Sequence, residues 1–183
     1  MEKNFVIAGF GGQGVLLAGE VLANAFMIDN KNVTWYPSYG AEMRGGTVNC
    51  EVVMSDDEVS SVNKRETDFI IVLNQASFDK FENKVKKGGY LIVNTSLAEK
   101  KQNRADIHYV FAPISEMAEK LGNVKMANML ALGLLLKASG LLSVDILEKA
   151  LDTVLPPHRK NLLPLNKNAM EIGYKYDLFA LNC

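Results

Sequence analysis

A glycine-rich segment near the start of the chain has the spacing of a phosphate-binding turn. It reads G-F-G-G-Q-G over residues 9–14 and follows the apolar run Asn4–Ala8. In such a turn the first glycine permits a tight strand-to-helix connection, the second lets backbone approach a ligand, and the third allows close helix packing. Amide N–H groups at the helix start then face an anion, aided by the helix dipole. The predicted binding residues are Gly9, Gly11, Gly12, Gln13 and Gly14.

The dinucleotide interpretation of this turn lacks one residue. A nicotinamide or flavin site needs a carboxylate about 20 positions later, at the end of the second strand, to hold ribose hydroxyls. The second strand here reads V-T-W-Y-P-S-Y-G over residues 33–40, and the next carboxylate is Glu42. Three interpretations stay open: a site for another phosphate ligand, a purely structural turn, and the dinucleotide site of a free-standing oxidoreductase.

A second glycine-rich segment, S-Y-G-A-E-M-R-G-G-T over residues 38–47, connects two predicted strands without a helix. Parallel strands one and two would end at the same sheet edge, so we expect this loop beside the first turn. Arg44 is suited to a phosphate or carboxylate, although it also fits an exposed arginine in a flexible loop. Asn74 and Gln75, just past the predicted strand at 69–73, lie on the same sheet edge and would add neutral hydrogen bonds. The loop contributes the predicted binding residues Ser38, Tyr39, Gly40, Arg44, Gly45 and Gly46.

Groups that could catalyse a reaction are scarce. The sequence has no histidine beside a Ser or Cys nucleophile, no G-x-S-x-G elbow and no P-loop lysine after the glycine turn. Cys50 and Cys183 lie far apart without a C-x-x-C, so this chain alone builds no iron–sulfur or cysteine zinc site. We interpret Cys50 as a small strand residue, and His108 and His158 as structural or exposed. We predict no catalytic residue and no metal ligand.

Composition favours one ordinary globular domain. The chain has 183 residues, 48% hydrophobic and 22% charged. Its net charge of −1 argues against an overall positive field that would attract nucleic acid. The longest apolar run, Met129–Leu136, is far shorter than the roughly 20 residues that span a bilayer. The beginning of the chain lacks a signal-peptide pattern, so we expect a cytoplasmic protein without a membrane span.

Strands and helices alternate over the first two thirds of the chain. Strands are predicted at residues 5–9, 33–36, 47–54, 69–73, 90–93 and 107–111. Helices are predicted at residues 13–28 and 77–86, with Gly88-Gly89 ending the second. This alternation predicts an α/β fold with a mostly parallel, Rossmann-like sheet flanked by helices and right-handed crossovers.

The remainder of the chain after Pro113 reads as helical. Helices are predicted at residues 114–121, 125–139, 144–154 and 160–176. We therefore expect a single α/β domain over residues 1–183, with a sheet-forming core at 1–112 and a helical extension at 113–183. Met129–Leu136 is apolar nearly all round, which indicates either a central core helix or one that also packs on another subunit.

Several segments together resemble the gamma subunit of the 2-oxoacid:ferredoxin (acceptor) oxidoreductases, closest to the 2-oxoglutarate type. The tandem of the two glycine-rich motifs is more specific than either alone, and the likeness covers essentially the whole chain. Ala41 stands where the family commonly has proline. The matching segments are G-F-G-G-Q-G-V-L-L-A-G (9–19), V-T-W-Y-P-S-Y-G-A-E-M-R-G-G-T (33–47), F-I-I-V-L-N-Q-A-S-F-D-K-F (69–81), N-M-L-A-L-G (128–133) and L-N-K-N-A-M-E-I-G-Y (165–174).

The resemblance implies an activity for a complex. Such a complex converts a 2-oxoacid and coenzyme A to an acyl-CoA and carbon dioxide while it reduces ferredoxin or a similar acceptor. Thiamine diphosphate, magnesium and iron–sulfur clusters would belong to other subunits, namely alpha and beta chains and a ferredoxin-like delta chain. The fold implied is that of an internal domain of single-chain relatives.

For this chain, the resemblance implies a non-catalytic subunit that is inactive alone and binds no cofactor by itself. The two glycine loops would help to bind coenzyme A, and the alternative is a purely structural assembly subunit. An isolated chain of this kind could also form a homodimer, for which the Met129–Leu136 helix is the candidate surface.

Overall fold

The computed structural model describes residues 1–38, 47–59 and 65–178. The strands are β1 Glu2–Phe10, β2 Asn32–Ser38, β3 Thr47–Ser55, β4 Thr67–Val72, β5 Val85–Asn94 and β6 His108–Ala112. The helices are α1 Val15–Ile28, α2 Gln75–Phe81, α3 Ile114–Lys120, α4 Ala127–Ser139, α5 Val144–Val154 and α6 Leu163–Lys175. Short 3₁₀ helices lie at Glu82–Lys84, Val124–Met126 and Pro157–Leu162.

The six strands form one mixed sheet in the order β2-β3-β1-β4-β5-β6. Strands β1, β4, β5 and β6 are parallel, whereas β3 is antiparallel to both β1 and β2. The predicted α/β fold is confirmed, but β3 departs from the parallel expectation. Only residues 39–46 connect β2 to β3, and a connection this short cannot provide the crossover that parallel neighbours need, so the chain returns antiparallel. Because β1 and β2 both oppose β3, they run in the same direction.

Helix α1 packs closely on the strands beside it. It begins at Val15, two residues later than predicted, because Gly14 adopts a left-handed conformation at the N-cap. A side chain at Gly19 would collide with the Cys50 sulfur and lie 2.9 Å from Trp35 Nε1, so helix and sheet approach through this glycine. Cys50 is fully buried, as a small strand residue should be, and its Sγ donates to the Val15 carbonyl at 3.5 Å.

Helix α2 is shorter than the lysine-rich sequence predicts. It ends at Phe81, and after one 3₁₀ turn the chain enters β5, so Gly88-Gly89 lies inside a strand rather than ending a helix. The buried side chain of Val85 pairs with Thr67 of β4, and the pairing register then shifts before Phe69. Burial of Val85 in the sheet therefore outweighs the helical propensity of the surrounding lysines.

Helix α4 is the central helix of the C-terminal half. Every residue from Ala127 to Leu136 is buried within the chain itself. The core-helix interpretation of Met129–Leu136 is therefore confirmed, and its proposed use as a homodimer surface is wrong, because no apolar face of this segment remains to offer. No helix in the described part of the chain is long and apolar enough to cross a bilayer.

Helices α4 and α6 cross through two glycines. A Cβ atom added to Gly133 would lie 3.0 Å from the Gly173 Cα, and one added to Gly173 would lie 3.1 Å from the Gly133 Cα. The two helix backbones are therefore in direct contact. Both glycines belong to segments that carried the family resemblance, but their packing role was not predicted.

Candidate functional site

The glycine turn lies where the parallel strands end. It follows Phe10, the last residue of β1, and Phe10 pairs with Thr47 at the start of β3. Leu73, just after β4, donates its N–H to the Ala8 carbonyl at 2.9 Å, which places Asn74 beside the turn. We call this side of the sheet the glycine-turn edge. In parallel α/β sheets, ligands bind outside the carboxyl ends of the strands, and the glycine-turn edge is the edge at which β1 and β4 have their carboxyl ends.

Three glycines of the turn have different roles. A side chain at Gly9 would lie 2.6 Å from Gln13 Oε1 and 3.0 Å from Val15 Cγ2, so the tight connection excludes one. Gly12 has a φ of +93° and faces open space, since a Cβ at this position would have no atom within 4 Å. Gly14, at φ +72°, abuts the Asn128 amide of α4. The motif predicts a different role, in which the third glycine lets α1 pack closely on the strand.

The turn before α1 carries backbone N–H groups for which the described residues provide no backbone acceptor outside regular elements. The Ala18 N–H donates to the Gly14 carbonyl at 3.0 Å, and the Gln13 N–H donates to the Phe10 carbonyl at 3.2 Å. Within residues 1–38, 47–59 and 65–178, the N–H groups of Gly11, Gly12 and Gly14 donate to no backbone acceptor outside regular elements. The first turn of α1 also carries no acidic residue. This end of the helix therefore suits an anion.

The Gln13 side chain is turned into the protein. Its Oε1 accepts hydrogen bonds from the Phe10 N–H at 2.6 Å and from Asn74 Nδ2 at 3.2 Å. Its Nε2 donates to the Leu73 carbonyl at 3.4 Å. Asn74 Oδ1 in turn accepts from the Ser77 N–H at 2.8 Å and caps α2. Gln13 and Asn74, which we predicted to bind ligand, thus hydrogen-bond to the protein around the turn.

Two buried asparagines belong to this edge but were not predicted. Asn94 Nδ2 donates to the Leu73 carbonyl at 3.1 Å and to Ser115 Oγ at 2.8 Å. Asn128 Nδ2 donates to the Gly14 carbonyl at 3.1 Å, across 114 positions of sequence. The position of Asn94 at the end of β5 was a usable signal, because parallel strands end at a common edge. Asn128 lies on a distant helix and gave no local signal.

The second glycine-rich loop is described only at its ends. Ser38 ends β2 and pairs with Asn49, and Thr47 begins β3 at the glycine-turn edge. The loop therefore leaves and re-enters the sheet at this edge. The other predicted residues of the loop lie outside the described residues: Tyr39, Gly40, Arg44, Gly45 and Gly46.

Three exposed apolar side chains lie on the turn itself or on segments next to residues that contact it. Phe10 is 41% exposed, Leu97 is 48% exposed and Val124 is 56% exposed. The Leu97 carbonyl accepts from the Gln75 N–H at 3.0 Å, beside Asn74, and Val124 begins the 3₁₀ turn that leads into α4. We call these three side chains the apolar rim.

The two histidines and Cys50 do not form a reactive cluster in the part of the chain that the structure describes. His108 is exposed at the start of β6 and stacks on Tyr90 at 4.8 Å, and His158 is exposed in a 3₁₀ turn. Burial raises the pKa of the Cys50 thiol to about 12, so it is a poor nucleophile. Among the described residues, no three His, Cys, Asp or Glu side chains are grouped to hold a metal ion.

Comparison with known proteins identifies relatives over most of the chain. The pyruvate ferredoxin/flavodoxin oxidoreductase family matches residues 4–176. The 2-oxoglutarate synthase subunit KorC of Methanocaldococcus jannaschii is 34% identical over 172 residues, which cover 91% of this chain and 92% of KorC. The ketoisovalerate oxidoreductase subunit VorA of Methanothermobacter marburgensis is 39% identical over 146 residues. That match covers 79% of this chain but only 30% of the length of VorA.

Solved structures share the fold. The gamma subunit of a keto/oxoacid ferredoxin oxidoreductase from Geobacter sulfurreducens PCA has a TM-score of 0.84 and 30% identity, over 96% of this chain and 95% of that chain. A 2-oxoglutarate:ferredoxin oxidoreductase from Magnetococcus marinus, with 2-oxoglutarate, coenzyme A and succinyl-CoA bound, has a TM-score of 0.84. At 20% identity over 94% of this chain and 30% of that chain, it shows the fold alone. The resemblance seen in the sequence is confirmed, and the chain belongs to the pyruvate ferredoxin/flavodoxin oxidoreductase family.

Proposed function

We propose that this chain is the gamma subunit of a 2-oxoglutarate:ferredoxin oxidoreductase complex and that its glycine turn binds the phosphates of coenzyme A. The complex would convert 2-oxoglutarate and coenzyme A to an acyl-CoA and carbon dioxide. The likeness to KorC over nearly the full length of both chains supports the assignment to this class. The observation that carries the binding proposal is the set of amides at the start of α1 that have no backbone acceptor among the described residues, beside the open position of Gly12.

The remaining cofactors would be held by partner subunits. Cys50 is buried with its sulfur on the Val15 carbonyl, so it does not fit an iron–sulfur ligand. By the family resemblance, thiamine diphosphate, magnesium and the clusters would sit on alpha, beta and ferredoxin-like delta chains, with ferredoxin as the acceptor. In this arrangement the chain contributes backbone donors that hold and orient coenzyme A, and its partners supply the redox chemistry.

A matched pair of variants at Gly12 tests the coenzyme A proposal. Aspartate and asparagine have the same shape and tolerate left-handed backbone better than most residues, so Gly12→Asp and Gly12→Asn differ by one charge. An added carboxylate would repel the phosphates, and like-charge juxtaposition at a binding site costs several kcal/mol. In the reconstituted complex we expect Gly12→Asp to raise the KM for coenzyme A at least about tenfold above that of Gly12→Asn, with the KM for the 2-oxoacid unchanged. Equal KM values for coenzyme A in the two variants would refute the proposal.

Arg44 is tested separately because it lies outside the described residues. If its guanidinium contacts a phosphate, Arg44→Ala removes a charge-assisted hydrogen bond of about 1.5–3 kcal/mol, or roughly ten- to a hundredfold in KM for coenzyme A. An unchanged KM in a normally assembled complex would exclude Arg44 from the site but leave the glycine turn in place.

The apolar rim favours a second candidate function, in which this edge packs on a partner subunit and binds nothing small. Exposed Leu97 and Val124 are side chains that a partner would cover. In that case Leu97→Ser with Val124→Ser would reduce co-purification of the alpha and beta chains. Hydrogen exchange separates the two functions: coenzyme A should slow exchange of the amides at residues 9–14 in the assembled complex only if it binds there. A nicotinamide site would need a carboxylate at the end of β2, and this strand has none, so we expect no binding when the purified chain is titrated with NADH.

A further inference from the structure

We propose that Gln13, Asn74 and Asn128 are positioning residues that hold the glycine turn, from inside the protein, in the conformation that offers its amides to the phosphates of coenzyme A. This inference rests on the proposed function and adds the residues that make the site competent. None of the three needs to touch the ligand, because each hydrogen-bonds to the backbone of the turn or to a side chain that does.

Gln13 closes the turn on itself. Its backbone N–H donates to the Phe10 carbonyl, and its side-chain Oε1 accepts from the Phe10 N–H at 2.6 Å. The backbone bond joins the two ends of the turn, and the side-chain bond fixes the peptide group that precedes Phe10. The side-chain Nε2 also donates to the Leu73 carbonyl, which ties the turn to the end of β4.

Asn74 sets the orientation of the Gln13 amide. Asn74 is 1% exposed, and its Nδ2 donates to Gln13 Oε1 while its own Oδ1 is held by the Ser77 N–H. Because the cap on α2 fixes which end of the Asn74 amide faces the turn, the Gln13 amide is held with its oxygen toward Phe10. Its nitrogen then reaches Leu73. A flipped Gln13 would place donors against donors and its acceptor against an acceptor.

Asn128 holds the other side of the turn. It is 3% exposed and donates to the Gly14 carbonyl at 3.1 Å, which is also the acceptor of the first helical bond from Ala18. The Asn128 amide occupies the space where any side chain at position 14 would stand, so left-handed Gly14 and Asn128 fit as a pair.

The turn is thus braced from β4 and α2 on one side and from α4 on the other. The Gln13 side-chain amide and the Gly14 carbonyl are hydrogen-bonded to the protein. By contrast, the N–H groups of Gly11, Gly12 and Gly14 have no backbone acceptor in the described part of the chain outside regular elements. Donors fixed before the ligand arrives need no reorganisation on binding, which is how preorganised sites gain affinity.

The test compares Gln13→Met with Gln75→Met in the assembled complex. Methionine keeps the length of glutamine but has no amide. Gln75 is a matched control at the same edge, because its amide contacts Asp79 and the Glu99 N–H rather than the turn. We expect Gln13→Met to raise the KM for coenzyme A about tenfold, since it removes the three hydrogen bonds of the Gln13 side chain, partly offset by relaxation. The KM for the 2-oxoacid should stay unchanged, and Gln75→Met should match the wild type.

Hydrogen exchange in the same complex supplies the second measurement. Gln13→Met should speed exchange of the Phe10 amide, whose acceptor is the Gln13 side chain, at least about tenfold, as expected when a hydrogen bond of about 1.4 kcal/mol is lost. Asn74→Ser keeps an oxygen that caps α2 but loses the donor to Gln13, so it should shift both measurements in the same direction by less. It serves as the test if Gln13→Met fails to assemble.

The outcomes separate this inference from the function on which it rests. Wild-type exchange and wild-type KM in both Gln13→Met and Asn74→Ser would overturn the positioning role, while a raised KM in Gly12→Asp would leave the coenzyme A site standing. If Gly12→Asp and Gln13→Met both leave the KM for coenzyme A unchanged, the coenzyme A site fails, and the positioning role for it fails as a consequence.

Discussion

Replacement of Gly133 by alanine should destabilise the protein, although alanine is the better helix former. A methyl group at this position would lie 2.8 Å from the Tyr174 backbone nitrogen and 3.0 Å from the Gly173 Cα, and it would overlap the Met170 carbonyl oxygen. All three obstacles are backbone atoms of α6. No side-chain rotation can relieve the overlap, so α4 and α6 must move apart.

The expected size follows from two opposing effects. Overpacking a well-packed site typically costs about 1–3 kcal/mol, and we expect the upper end because the obstacle is backbone. Alanine recovers about 0.8–1.0 kcal/mol of intrinsic helix propensity relative to glycine. The net loss in free energy of unfolding should therefore be about 2 kcal/mol for Gly133→Ala. Gly173→Ala meets the Leu130 carbonyl in the same way and should lose a similar amount.

Urea unfolding of the purified chain measures these losses. Asn168→Ala on the exposed face of α6 is the control, and it should change stability by less than about 0.5 kcal/mol. Because one separation of the helices makes room for both methyl groups, the Gly133→Ala, Gly173→Ala double variant should lose less than the sum of the single losses. A Gly133→Ala variant that is about 1 kcal/mol more stable than wild type, as helix propensity alone requires, would refute the reasoning.

Three further predictions concern ionisable groups. In a Cys183→Ser background, Cys50 should resist thiol reagents at neutral pH until the chain unfolds, because burial raises its pKa to about 12; labelling of the native state would contradict this. Burial, with the hydrogen bond to the Glu82 carboxylate, raises the pKa of Tyr109 from 10.0 to about 12. Tyr109 ionises at lower pH in the unfolded chain, so the free energy of unfolding should fall as pH rises between those values. It should fall less in Tyr109→Phe. A side-chain hydrogen bond from Lys31, then one from the N-terminal ammonium group, lowers the pKa of Asp56 from 3.8 to about 2. Stability should therefore fall as pH drops through that window in the wild type, and an equally steep fall in Asp56→Asn would count against the assignment.

Most regular elements could be predicted from local patterns. Helix α5 has the predicted bounds, Val144–Val154, because its apolar face repeats with helical spacing between clear stop signals. Ser143 occupies the N-cap position of α5, but its side chain makes no capping hydrogen bond. The apolar runs that form β1 and β4 were equally visible because both strands are buried.

The errors arose where tertiary contacts override local preference. The lysine-rich segment after α2 resembles the exposed face of a helix, but Val85 is buried by pairing with β4, which no local window contains. The antiparallel direction of β3 likewise depends on which strand it joins, and it lies between β2 and β1.

The candidate site was only half visible in the sequence. Glycine spacing located the turn, because its backbone requirements are local. The inward orientation of Gln13 and the presence of Asn128 depend on partners 60 and 114 positions away, respectively. A single sequence shows that an amide lies near the turn but not whether it faces the ligand or the protein.

The burial of α4 inside its own chain bears on how such subunits evolve. Because this helix satisfies its apolar surface with α6 and the sheet, joining or separating the domain from neighbouring polypeptide exposes none of the α4 core. The α4 core would therefore be the same in a separate subunit and within a longer chain. Relatives of both kinds exist: the matched region makes up 92% of a separate subunit, KorC, and 30% of a longer chain, VorA.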